Sequence, residues 1–235
     1  MALPPEIAGH LNLDGKPVTP RPSATVLLIR DGDPWELLLV HRPGGADFAP
    51  GAYVFPGGTV HDDDREWGDE IAAAAIRELF EETGILLARR GRDFANDADC
   101  AALRSATARS TSFGDAMRGL GLEPSFDELV LFTRWVTPAQ LRRRFDARFF
   151  LARLPGLQTI HPQEGEVTDW RWLSPRRALE TADVTLVYAT RAILESVADE
   201  RDATKLFARA RRVREVPIVE PRIMQTENGW EVVRD

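Results

Sequence analysis

The chain has 235 residues, 43% hydrophobic and 29% charged, with a net charge of −7. That is the composition of a globular protein with a sizeable core, not of a disordered or fibrous chain. The negative charge argues against a broad basic face for nucleic acid. The single cysteine, Cys100, excludes an intrachain disulfide and a thiolate metal cage.

No apolar run reaches the roughly 20 residues of a spanning helix, so no membrane contact is expected. The opening MALPPEIAGHLNL lacks a basic segment followed by an apolar one. The closing Val232-Val233-Arg234-Asp235 is no receptor-read address, and a cytoplasmic setting is expected.

Residues 1–22 hold five prolines and read as an arm. Residues 24–30 and 35–41 are apolar runs around Asp31-Gly32-Asp33-Pro34, which predicts a β-hairpin. After a break at Pro43-Gly44-Gly45, residues 53–55 form a short strand that stops at Pro56-Gly57-Gly58. Residues 68–83 carry Ile71, Ala74, Ala75 and Leu79 at helical spacing, and Gly84 is placed to end that helix.

Residues 96–110 and 115–120 read as helices with a break at Ser112-Phe113-Gly114. Strands follow at 129–136, 149–154 and 168–173. Ser174-Pro175 then opens a helix with a capping hydroxyl and a proline at its first position. Further helices are expected at 185–199 and 203–213, and an extended tail over the last twenty residues. Strands and helices mix without regular βαβ alternation, so the fold class is α+β, a mixed sheet flanked by helices, with extra helices near the C-terminus. Residues 23–235 read as one domain with a helical insertion at about 94–122.

The chemistry concentrates between Gly57 and Ile85. On a helix, Glu78, Glu81 and Glu82 share a face, since residues three and four apart are neighbours. Three carboxylates on one face repel unless they are solvated, paired or bound to cations, and oxygen ligands of this kind suit Mg²⁺ or Mn²⁺. Alone they also read as an ordinary solvated acidic face, with Arg77 as a surface partner. The preceding order of strand, Pro-Gly-Gly and loop favours the site, because Gly57 and Gly58 let backbone approach a ligand closely. Asp62, Asp63 and Asp64 read as a solvated loop.

The run Arg77-Glu78-Leu79-Phe80-Glu81-Glu82-Thr83-Gly84-Ile85 resembles the second half of the Nudix box, R-E-U-x-E-E-x-G-U, with U a bulky aliphatic residue and the box glycine at Gly58. Between Gly58 and Arg77 the chain is longer than the usual box by about five residues, around 62–68. Asp69, with Glu70 beside it, replaces a box glutamate, as a helix-start acid or a partner for Arg77. The resemblance implies a Nudix fold, a mixed sheet between helices. It also implies metal-dependent hydrolysis of a nucleoside diphosphate linked to another moiety.

It further implies Glu78, Glu81, Glu82 and the Gly58 carbonyl as metal ligands, and Arg77 as the residue that orients the glutamates. The catalytic set is then Glu81, Glu82, Arg77 and Glu166. Glu166 is favoured over Glu164 as the base from the later loop Gln163-Glu164-Gly165-Glu166. The expected substrate contacts are Arg42, Gly57, Gly58 and Arg148. Arg42, Arg144 and Arg148 carry guanidinium groups that can grip phosphate, although a surface or structural role is the more ordinary reading of each.

Leu38-Leu39, Arg42, Gly51 and Phe55-Pro56-Gly57-Gly58 are similar to the signature that precedes the box in coenzyme A diphosphatases. Val40, Pro43 and Asp47 depart from it. Tyr53–Gly58, the lengthened box and the stretch from Arg144 to Phe150 resemble the peroxisomal-type branch of that group. For coenzyme A or acyl-coenzyme A the implied products are 3′,5′-ADP and a phosphopantetheine. The alternatives are hydrolysis of ADP-ribose or a dinucleotide, or a nucleotide-sensing domain without activity. A small nucleotide-like diphosphate is the expected partner, and a homodimer is left open.

Overall fold

The computed structural model of this chain describes residues 11–12, 15–46, 49–156, 158–227 and 229–234. Residues 1–10, 13 and 14 of the expected arm lie outside these. The long strand β1 (Arg21–Arg30) runs through the centre of the sheet. Its side chains alternate, with Val26 and Leu28 buried on one face and Leu27 and Ile29 on the other. It starts inside the expected arm because Arg21, Pro22 and Ser23 pair in parallel with Phe145, Asp146 and Ala147. That partner is far away in sequence.

The predicted hairpin closes with β2 (Glu36–His41), antiparallel to β1 through Ile29 and Leu37. β3 (Tyr53–Val54) continues along β2, and β4 (Gly57–Thr59) along the first half of β1. Gly57 and Gly58, expected to stop the preceding strand, are thus themselves strand residues. A Cβ on Gly57 would stand 2.3 Å from the Ala24 carbonyl oxygen, so only glycine lets β4 approach β1 this closely.

A 3₁₀ segment (Asp62–Trp67) leads into helix α1 (Glu70–Thr83). Asp69 caps α1 by accepting from the Ala72 N–H. Gly84 ends it in the left-handed conformation, its N–H donating to the Phe80 carbonyl. β5 (Ala88–Arg90), β6 (Asp93–Phe94) and, after two helices, β7 (Glu123–Pro124) form a small separate sheet.

α2 (Asp97–Thr107) is capped by Asn96. α3 (Phe113–Leu120) is capped by Ser112, whose hydroxyl accepts from the Asp115 N–H. Phe113 and Gly114, expected in a break, therefore lie inside α3.

β8 (Val130–Val136) and β9 (Phe145–Arg153) are antiparallel, and β9 starts four residues before its expected position because Phe145 to Arg148 also pair with β1. β10 (Asp169–Leu173) completes the other edge along β2. α4 (Pro175–Glu180) has the predicted Ser174 cap and leading proline. α5 (Tyr188–Val197) starts later than expected, since Leu186 bridges to Tyr53. α6 (Ala203–Arg212) follows.

The expected extended tail is instead structured. β11 (Ile218–Val219) joins the sheet beside β8, and β12 (Arg222–Thr226) pairs with β13 (Gly229–Val233). Ile223 and Val232 from this hairpin pack against Leu11.

The main sheet runs β10-β2-β1-β9-β8-β11 and is mixed. One face carries a core with Ala178, Leu194 and Phe207 from α4, α5 and α6. The other carries Ile76 and Leu79 of α1, Leu103 of α2 and Met117 of α3. Helices on both faces give the predicted α+β sandwich. Truncating the fully buried Leu79 to alanine at the centre of the second core would cost about 2–5 kcal/mol.

Candidate active site

The inward stripe of α1 fixes where its acids point. With Ile71, Ala75 and Leu79 against the sheet, Glu78 and Glu82 meet β4. Glu82 is 3% exposed, and its Oε2 accepts from the Gly57 N–H at 3.0 Å. Its Oε1 stands 3.5 Å from the Arg42 guanidinium. Glu78 presses on Gly58, where a Cβ would fall 2.4 Å from the carboxylate. Burial pushes the Glu82 pKa up to about 8, helped by the charges of Glu78 and Glu166, and opposed by the Gly57 N–H and Arg42. Burial also raises Glu78, against the pull of Arg77.

Arg77 is 3% exposed and uses all five N–H donors. Nε and Nη2 reach the two oxygens of Asp64 at 3.0 and 2.9 Å. Nη1 reaches Glu78 at 2.9 Å and Glu81 at 2.8 Å, and Nη2 also donates to the Thr59 carbonyl at 2.8 Å. Burial alone would weaken its charge, but the bonds to Asp64 and the charges of Glu78, Glu81 and Asp64 outweigh it and raise its pKa.

Asp64 corrects the sequence reading. Asp62 and Asp63 are exposed as expected, but Asp64 is 3% exposed and is the bidentate partner of Arg77. Neither Asp69 nor Glu70 fills that role: Asp69 caps α1, and Glu70 pairs with Arg65. One local signal was available, the three-residue spacing by which Asp64 accepts from the His61 N–H at 2.8 Å.

Glu81 is the most open of the three glutamates, its side chain 40% exposed. A cleft of about 250 Å³ opens beside Glu81 and Arg77, walled by His61, Trp67, Ser112 and Phe113. The segment after Leu154 returns to the far end of α1, where the His161 N–H donates to the Thr83 carbonyl and the Gln163 N–H to the Glu82 carbonyl. That docking brings the charge of Glu166 to bear on Glu82.

Arg148 stands in one row with Ala24 and Gly58 across β9, β1 and β4. Two strand spacings put its backbone about 10 Å from Gly58. Arg144 is structural: it donates to the Thr137 and Val18 carbonyls and pairs with Glu220. Trp135 is buried, whereas Trp170 is 40% exposed. Among the described residues, no three His, Cys, Asp or Glu side chains converge into a closed ligand set. Glu78 and Glu81 turn to Arg77, and Glu82 turns to Gly57 and Arg42.

A mixed sheet between helices, with a glutamate-bearing helix docked on a Gly-Gly strand, defines a class. The family model described as the NUDT19 Nudix domain matches residues 69–189, just over half of the chain, and the chain belongs to the Nudix hydrolase family.

Within that family it is similar to a Caenorhabditis elegans protein provisionally named nudix hydrolase 7, 31% identical over 72% of this chain and 56% of that one. It is also similar to the acyl-coenzyme A diphosphatase NUDT19 of Homo sapiens, 26% identical over 63% of this chain and 55% of that one. The chain spans about half the length of the curated relatives it matches. A solved NUDIX hydrolase from Alicyclobacillus acidocaldarius shares the fold, with a TM-score of 0.68 and 26% identity over 81% of this chain and 96% of that one. Among the described residues no helix is long and apolar enough to cross a membrane.

Proposed function

We propose that this protein hydrolyses a phosphoanhydride bond of a nucleoside diphosphate derivative, with coenzyme A or acyl-coenzyme A as substrate and Mg²⁺ or Mn²⁺ as cofactor. One observation carries the reading: the buried Glu82 meets Gly57, the partly buried Glu78 presses on Gly58, and Arg77 gathers Glu78 and Glu81 on the same edge. The substrate class draws on relatives named acyl-coenzyme A diphosphatase and on the Leu38–Gly58 signature.

Glu78, Glu81, Glu82 and the Gly58 carbonyl are the groups that would hold the cation, and an all-oxygen donor set suits a hard divalent ion. When bound, such an ion neutralises phosphate oxygens and acidifies water. Arg77 holds the glutamate face in register. Arg42 and Arg148 grip phosphate oxygens, and Gly57 and Gly58 admit the substrate close to the backbone.

Glu166 takes a proton from the attacking water. The water oxygen bonds to one phosphorus, the bridging P–O bond breaks, and the bridging oxygen leaves on the other phosphate. The products are 3′,5′-ADP and a phosphopantetheine. Residues 23–235 act as one domain, with the insertion around 94–122 walling the cleft.

A second substrate reading, ADP-ribose or a dinucleotide, is favoured by the acid at Asp47, where the coenzyme A signature has an arginine. Asp47 lies outside the described residues. The purified protein, given coenzyme A, an acyl-coenzyme A, ADP-ribose and a dinucleotide with and without Mg²⁺ or Mn²⁺, is read by product mass. The expected result is metal-dependent 3′,5′-ADP from the coenzyme A substrates. Release from ADP-ribose alone would select the second reading, and no release from any of them would reject hydrolysis.

A further inference from the structure

The loop that carries Glu166 is held at both ends by side chains remote from the glutamate face. Upstream, Gln158 is 7% exposed and acts like a missing strand. Its Oε1 accepts from the Leu86 N–H at 2.8 Å, and its Nε2 donates to the Leu86 and Ala95 carbonyls at 3.0 and 2.6 Å. At the next residue, the Thr159 N–H and hydroxyl both donate to Asp97, the first residue of α2, each at 2.8 Å. The two bonds hold the Asp97 carboxyl below its usual range.

Downstream, the Thr168 N–H donates to the His41 carbonyl at 3.0 Å, and its hydroxyl lies 2.6 Å from His41 Nδ1. His41 also reaches the Gly51 carbonyl at 3.2 Å and lies against Tyr53, their ring centroids 4.7 Å apart. Between the anchors, Gly165 turns the chain at a φ of 89°, and Val167 is buried. Glu164, Gly165 and Glu166 are left exposed as a short arch over the end of α1.

We infer that Asp97 and Thr159 upstream, and His41 with Thr168 downstream, are positioning residues that clamp this arch and set where the Glu166 carboxylate stands relative to Glu82. The inference rests on the proposed role of Glu166. Asp97 sits on the helical insertion, so the insertion contributes to turnover as well as walling a cleft. A displacement of about 1 Å at a reacting group is enough for a large loss of rate. The Asp97–Thr159 bonds lie at the surface, so they can be removed without opening the core.

The test is a double-mutant cycle on acyl-coenzyme A hydrolysis at saturating Mg²⁺. Asp97→Ala is expected to lower kcat about tenfold with KM unchanged. Thr159→Val should fall in the same direction, and Thr159→Ser, which keeps both donors, should restore the rate. In a Glu166→Gln background Asp97→Ala should have no further effect, because the clamp acts through that carboxylate. A full additional loss in that background overturns the clamp while leaving the base reading intact. If Glu166→Gln alone keeps full activity, the base reading fails and the clamp fails with it.

Discussion

Two buried arginines, Arg77 and Arg144, separate a site from a strut. Arg144, 7% exposed, spends its donors on the Thr137 and Val18 carbonyls and on one carboxylate, Glu220, whose side chain is 45% exposed. One positive charge meets one negative charge, and the result ties the segment before β1 and the segment after β11 to the sheet. Arg77, 3% exposed, meets three carboxylates, with Glu82 buried close by. With Arg42 3.5 Å from Glu82, two positive charges there face four acids, so the region is left short of cations. A strut balances its charges, whereas a site keeps an imbalance that a ligand can complete.

The largest expected effect lies on the unbalanced side. Glu82→Gln should lower turnover by about 100-fold or more, since it removes a charge that the reaction uses. Its thermal midpoint should not fall, because the amide oxygen still accepts from the Gly57 N–H and the amide cannot ionise where burial disfavours charge. Activity assays and thermal melts of the same preparation check both halves.

Next comes Asp64→Ala, which leaves Arg77 without its bidentate partner and should cost about 3–5 kcal/mol in urea unfolding. Its kcat should fall as well, because Arg77 is no longer held against Glu78 and Glu81. Arg144→Ala removes two part-buried bonds to carbonyls and should cost less, about 1–2 kcal/mol. The fraction that stays folded should turn over at the wild-type rate. Equal losses of kcat in the Asp64 and Arg144 variants would erase the distinction between site and strut.

The smallest effect concerns Asp97. Its carboxyl titrates below the usual range because of Thr159. A depressed folded pKa stabilises the protein above the ordinary carboxyl value, and that contribution fades as pH falls through the depressed one. Thr159→Val removes the hydroxyl bond, so NMR titration should find the Asp97 pKa moved up towards its ordinary value. An unchanged titration would mean that the hydroxyl contributes nothing to the clamp.

What the sequence disclosed follows from the range of the forces involved. Periodicity and capping act over a few residues, so α1 and its Gly84 end, the β1–β2 hairpin and the Ser174-Pro175 helix start were all legible, while Asp69 was left between a helix start and a partner for Arg77. Glu78, Glu81 and Glu82 shared an edge for the same reason.

Strand pairing acts across the chain. The early start of β1, the strand character of Gly57 and Gly58, and β11 to β13 all depend on partners that no local window contains. Asp64 was hidden differently. It shares its composition with two solvated neighbours, and only the fold turns that one carboxylate inward to Arg77. Arg148 was read as a phosphate contact from its guanidinium chemistry, and it lies two strands from Gly58.

The central claim is that the glutamate edge of α1 gathers a divalent ion beside Gly57 and Gly58. Electron paramagnetic resonance titration of Mn²⁺ into the wild-type protein and into Glu78→Gln, Glu81→Gln and Glu82→Gln measures this without any substrate. The account predicts saturable binding in the wild type that weakens at least about tenfold in each variant, with Arg144→Ala binding as the wild type does. Unchanged Mn²⁺ affinity across the three glutamine variants would contradict it.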